Sequence, residues 1–169
     1  VLDGGPEATG GRPGVEFGLD HDASAGQVQA PGALLVAEGY ATCASLHQAT
    51  GLPVAVAFDA GNLVHVAKAL HRQYPGALLV LCADNDAATE GRTGTNPGLV
   101  KAMDAAGAVG GVVACPPRQE GQNVDFNDLH QAQGVEAVAT IVQGAIAQHA
   151  SQVQAQASEQ PPKAAATGQ

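Results

Sequence analysis

Acidic residues stand where the chain's apolar runs end. Glu38 follows ALLVA (33–37), Asp59 follows VAVAF (54–58), and Asp84 and Asp86 follow ALLVLCA (77–83). Asp125 and Asp128 lie in VDFND, in the stretch beyond a fourth apolar run at 109–114. In an extended segment alternate side chains share a side, so Asp84-Asn85-Asp86 turns two carboxylates the same way. Carboxylates gathered in one cleft repel each other, and a hard dication relieves the repulsion. Oxygen ligands with retained water suit Mg²⁺ or Mn²⁺. Beside phosphates, such a centre supports metal-assisted phosphoryl chemistry. Each acid also has a plainer use. Asp59 at a strand–helix junction is most simply a helix cap, Asp128 after Asn127 is another candidate cap, and Asp-x-Asp is common in turns. The joint pattern, Glu-Gly after the first run and Asp-x-Asp after the third, is what rises above these uses.

For the acids to meet, the runs between them must be strands of one sheet. Continuous apolar runs separated by helical segments of ten to fifteen residues predict a parallel sheet covered on both faces. The expected fold is α/β and doubly wound, with four core strands at 33–37, 54–58, 77–83 and 109–114. Helices are predicted over 41–50, stopping at Gly51, and from a cap at Asp59 or Asn62 to about Tyr74, where Pro75-Gly76 ends it. A polar loop is expected over 84–96, then a helix from Pro97 to about Ala106. Two more helices are predicted, from about Asn127 and from about Val135 to His149, the latter packing its Ala/Val stripe on the sheet. Ligands of such sheets sit beyond the carboxyl ends of the strands, where the acids are. The expected organisation is a Gly/Asp/Pro-rich flanking segment over 1–31 with a short strand at Val15–Leu19, a catalytic domain over 32–149, and a disordered Gln/Ala/Pro-rich tail over 150–169.

The 169 residues suit one domain, and sixteen Asp and Glu against seven Lys and Arg give a formal charge of −9. That balance argues against this domain alone gripping a nucleic acid, because phosphate backbones demand clustered cations. The basic residues are scattered; a divalent metal or other domains would have to supply positive charge. Arg92, in a glycine-containing stretch before a helix start, is a phosphate candidate together with backbone N–H groups there. Lys101 and Arg118 are weaker ones, and solvated surface charge is the plainer account of each. Gly39 is read as easing a sharp strand-to-helix turn beside Glu38. Tyr40 either stacks on a base or ribose, or packs. The six histidines show no ligand spacing, and His47, His65 and His71 are read as helix-surface residues. Cys43, Cys82 and Cys115 form no CxxC pair and are read as small buried hydrophobes in a reducing cytoplasm. No apolar run is long enough for a membrane span and no signal peptide is visible. A chain opening on Val1 is expected of a fragment or a processed product.

The segment ALLVAEGYATCASLHQATG, followed by LLVLCADNDAA, resembles a Toprim domain, the catalytic fold of bacterial-type primases, topoisomerases and some nucleases. It is more similar to primases of conjugative plasmids and related mobile elements, which carry Glu-Gly-Tyr-Ala-Thr-Ala. Here the positions read Glu38-Gly39-Tyr40-Ala41-Thr42-Cys43, and only the last departs. VAFDAGNL, TNPGLVKA and DFNDLH also resemble that group, and the likeness covers roughly residues 32–145. The resemblance implies a metal-dependent nucleotidyltransferase that makes primers on single-stranded DNA in plasmid or phage replication or conjugation. Glu38 would be the general acid/base, Asp84 and Asp86 would hold the divalent ions, and Asp125 or Asp128 would add an acidic ligand. Replicative primases often have an Asp shortly after Glu-Gly-Tyr, where Ala41 and Thr42 stand here; one ligand is therefore absent or replaced, with Asp59 as the substitute. Gly39, Arg92 and Lys101 would face the substrate. Template and nucleotides are the implied partners, with other domains of a longer protein and a helicase beside them and no membrane. A Toprim nuclease is the nearest rival. A receiver-like signalling domain would need an acid pair after the first strand, a lone Asp after the third and a Lys near the fifth, which this chain lacks. A non-catalytic docking module is the remaining alternative.

Overall fold

Apolar runs without alternation belong where a sheet is covered on both sides. The computed structural model, which describes residues 32–159, has such a sheet. Strand β1 (Ala33–Ala37) is buried at every position and lies between β2 (Val54–Val56) and β3 (Leu78–Cys82). With β5 (Val112–Ala114) the order is β2-β1-β3-β5, and all three pairings are parallel. Ala37 stands opposite both Val56 and Cys82, and Cys82 opposite Ala114. The four carboxyl ends thus finish level, along one edge of the molecule.

Strand alternation divides the core into two layers. Leu34, Val36, Leu79 and Leu81 meet α2 (Leu63–Gln73) and α4 (Pro97–Gly107) through Leu63, Ala67, Ala102 and Ala105. On the other face Leu35, Val80 and Ala114 meet α1 (Tyr40–Thr50), α5 (Phe126–Gln133) and α6 (Val135–Glu159). Leu46, Phe126, Leu129, Val138 and Val142 fill that layer, so the expected packing of the Ala/Val stripe is found. Each fully buried Leu, Val or Phe contributes about 1.5–3 kcal/mol.

Several boundaries differ from expectation. β2 ends at Val56 because Phe58 turns the chain with φ 63° and Asp59 then caps a 3₁₀ turn, Ala60–Asn62. The stretch 84–96 is not a loop. It forms β4 (Asn85–Asp86) and α3 (Ala87–Thr93), and β4 pairs antiparallel with β6 (Asn123–Val124). Ala87, the first residue of α3, is buried, and Gly94, at φ 78°, closes the helix. The tail expected to be disordered from 150 remains helical to Glu159, as part of α6. Its Gln, Ala and Ser residues propagate a helix already nucleated, with no proline before Pro161. The expected strand Val15–Leu19 lies outside the described residues. Cys43 and Cys82 are buried and Cys115 half-buried, all as free thiols. Burial pushes the Cys43 and Cys115 thiols up to about 11, which disfavours the thiolate. Among the described residues no helix is long and apolar enough to cross a membrane.

Candidate active site

The site begins where β1 runs out. The Glu38 carbonyl accepts from Phe58 N at 2.9 Å, which ties the tip of β1 to the chain leaving β2. Gly39 is the N-cap of α1 with φ −92° and ψ 148°, ordinary extended backbone, and a Cβ there would only touch Thr42 Oγ1 at 3.4 Å. The turn beside Glu38 therefore does not require glycine, contrary to expectation. Thr42 is buried and its Oγ1 donates to Asp125 Oδ2 at 2.5 Å. One bond thus joins the Glu-Gly segment to the VDFND segment.

Asp84 leaves β3 half-buried, and its Oδ1 is buried with no hydrogen-bond partner. Burial, and then the charges of Asp125, Glu38, Asp86 and Asp128, push its carboxyl up to about 7. Asn85 is buried instead: its Nδ2 donates to Pro116 O at 2.9 Å and its Oδ1 accepts from Asn96 Nδ2 at 3.0 Å. Asp86 is held twice, its N donating to Asn96 Oδ1 at 3.1 Å and its Oδ2 accepting from Gly98 N at 2.8 Å. Here a glycine is needed, since a Cβ on Gly98 would lie 2.6 Å from the Asp84 carbonyl and 3.0 Å from Asp86 Oδ2. Asp125 caps α5, accepting from Asp128 N at 2.7 Å while Asp128 Oδ2 accepts from Asp125 N at 3.1 Å.

Asp84, Asp86, Asp125 and Asp128 line one cavity of about 210 Å³ with Asn123 and Val124. Glu38 is not in that lining. It stands near enough that, after burial, the charges of Asp59 and Asp86 raise its pKa, against the Ala60 backbone amide. Asp59 is exposed and accepts from Gly61 N at 2.7 Å, so it acts as the cap its position suggests. Among the described residues no three His, Cys, Asp or Glu side chains close into a ready metal cage. The donor set still fits a hard cation, because an unpartnered buried carboxylate oxygen sits among four other carboxylates. An open rim of this kind matches Mg²⁺, which keeps much of its water.

The basic residues fall less neatly. The N–H groups of Gly98 and Leu99 at the start of α4 are taken by Asp86 and Asn96, and Pro97 has none, so the expected backbone cradle for phosphate is not met at that helix start. Arg92 is exposed on α3 and reaches Thr89 Oγ1 at 3.3 Å. Lys101 is exposed on α4. Arg118 is paired with Glu90 and Glu120 at the surface, in keeping with the plainer account of it as solvated surface charge. Thr42, Asn85, Asn96 and Gly98 are the positioning residues that sequence reasoning passed over. Their signals were an Asn between two Asp residues and an Asn-Pro-Gly at a helix start. Ser45, bonded to Asn127 Oδ1 at 3.1 Å and His130 Nδ1 at 2.9 Å, is buried between α1 and α5 and clasps them together.

A family model described as Toprim domain matches residues 33–136. Two curated relatives, each described as DNA primase TraC of Escherichia coli, are 44% and 42% identical to this chain over 97 residues. Each alignment covers 57% of the chain, and 9% and 7% of the respective relatives, so the chain spans less than a tenth of their length. No solved structure matches it.

Proposed function

Because the chain belongs to the Toprim domain family, we propose that it is the catalytic domain of a primase, a metal-dependent nucleotidyltransferase that makes primers on single-stranded DNA in plasmid or phage replication or conjugative transfer. The observation that carries this reading is the convergence of Asp84, Asp86, Asp125 and Asp128 on one cavity, with Glu38 beside it. The printed name of the relatives, DNA primase, supports the same reaction class. Asp84 and Asp86 would hold Mg²⁺ or Mn²⁺, with Asp125 and Asp128 lining the same cavity. When bound, the ion supplies positive charge against the triphosphate and the departing pyrophosphate. Asp59 is less suited to the ligand set, because it is exposed and does not line that cavity.

Glu38 is the group that orients the primer 3′-hydroxyl, or takes its proton, as the oxygen attacks the α-phosphate. Its raised pKa, set by burial and by Asp59 and Asp86, suits a proton acceptor. Gly98 and Asn96 fix Asp86, and Thr42 fixes Asp125, so the carboxylates are held in place before substrate arrives. Arg92 and Lys101, both exposed, would meet nucleotide phosphates, and Gly39 would present its backbone beside Glu38. The template needs cations that this chain of charge −9 does not cluster, so further domains would carry it. The free thiols fit a reducing compartment such as the cytoplasm.

The test is primer synthesis on a single-stranded template with nucleotides and Mg²⁺ or Mn²⁺, by this chain and by the TraC primase carrying it in place of its matching segment. Glu38→Gln and Asp84→Asn are each expected to lower synthesis by at least about a hundredfold. Undiminished synthesis in both variants rejects the reading. Shortened DNA in place of extended product would instead assign phosphodiester cleavage.

A further inference from the structure

We propose that Phe58 and Tyr40 form a stacking site for bases of single-stranded nucleic acid beside Glu38; this rests on the primase reading and gives it a way to hold template or primer. The chain has only two Tyr and three Phe. Phe126 is fully buried, yet Tyr40 is 75% exposed and Phe58 79% exposed. Single exposed apolar residues are ordinary, but these two flank the same glutamate. Tyr40 opens α1 just past Glu38, and Phe58 N donates to the Glu38 carbonyl at 2.9 Å.

Backbone conformation supplies an independent observation. Phe58, at φ 63°, is the only residue other than glycine with positive φ among the described residues. A bulky side chain in that region is an outlier, and glycine would sit there without strain. The ring at 58 therefore serves neither local conformation nor the core. Outliers of this kind gather at ligand sites, where contact with the ligand repays them. Tyr40 in turn walls an open, mostly apolar cleft of about 500 Å³, shared with Cys43, Ala44, His47, Pro53, Val54 and Val56, on the flank of β2 that no described strand covers.

Charge chooses the occupant. A chain of net charge −9 repels a phosphate backbone. The face of a base is uncharged and stacks on aromatic rings whatever its sequence. Bases are available for this in single strands and hidden in duplexes. The site thus takes unpaired bases and leaves phosphates turned to solvent, to metal or to other domains.

The probe is a single-stranded oligodeoxynucleotide containing 2-aminopurine, titrated with the 169-residue chain in Mg²⁺; stacking quenches its fluorescence. Wild type is expected to quench, with unlabelled single strand competing and duplex not. Phe58→Gly and Tyr40→Ala should each weaken binding about tenfold or more, and Phe58→Trp should keep it. Phe58→Gly should also melt at the same temperature as wild type or higher, which a packing role for the ring would not allow. No quenching by wild type, equal competition by duplex, or unchanged binding by both variants overturns the proposal. Glu38→Gln separates the two readings. Quenching with lost synthesis supports both; synthesis retained in Glu38→Gln and in Asp84→Asn, with quenching lost in Phe58→Gly, keeps the stacking site and rejects the catalytic reading; lost synthesis with quenching intact in Phe58→Gly and Tyr40→Ala does the reverse.

Discussion

Asp84 holds an oxygen in the protein interior with nothing to bond, beside charges of its own sign. Its carboxyl titrates at about 7 in the folded chain, against an ordinary 3.8. Between those values the native state keeps a proton that the unfolded chain has released. Stability therefore falls as pH rises from about 4 to about 7, and levels off above. Asp84→Asn removes this cost. Urea unfolding at pH 5 and pH 8 should show a flatter profile for the variant and a gain at pH 8 on the order of 2 kcal/mol, allowing for the water that reaches a half-buried group. Wild type, and not the variant, should gain stability from Mn²⁺, with a proton released on binding and affinity rising through pH 7. The Asp84/Asp86 pairing was legible in the sequence because alternation in an extended segment is a local rule. The bond from Thr42 to Asp125 was not, because it spans 83 positions and no spacing rule reaches that far.

At the scale of elements, α5 is fastened at both ends of one residue. Asp125 accepts from Asp128 N with one oxygen and from Thr42 Oγ1 with the other. Asp125→Ala removes the cap and the cross-bond together, for an expected loss of about 2 kcal/mol in chemical denaturation. Thr42→Val keeps the cap and a similar shape, and should cost about 1 kcal/mol while lowering primer synthesis more than that loss of stability explains. A drop in synthesis no larger than the loss of folded protein would reduce Thr42 to a packing residue. The core strands and the longer helices were readable because apolar runs and caps such as Pro97 and Gly51 mark them. β4, β6 and α3 were not, since strands of two residues and a helix of seven carry no periodicity. They depend on distant partners, Thr89 N with Asn123 Oδ1 and Asn85 with Pro116.

For the whole molecule, alternating apolar runs and helices sufficed to foresee a four-stranded parallel sheet, and the order β2-β1-β3-β5 bears that out. Net charge of −9 makes the approach of a polyanion a matter of screening. Most nucleic-acid-binding domains lose affinity as salt is added. For this chain alone the trend should reverse between low and moderate NaCl, and Mg²⁺ at matched ionic strength should strengthen binding further. Fluorescence anisotropy with a labelled single strand measures both. A steep fall in affinity with NaCl would mean that scattered cations such as Arg92 and Lys101 dominate the encounter.

Helix α6 buries Val138 and Val142 against the sheet, yet every residue from Ser151 to Ser158 is exposed. Its early turns melt only when the domain does, whereas its last turns are sustained by helix propensity alone. Warming should therefore erode far-ultraviolet ellipticity gradually before the cooperative transition, and amide exchange should quicken stepwise along this one rod. A single continuous helix thus joins two regimes of permanence, a fixed root and a dissolving tip.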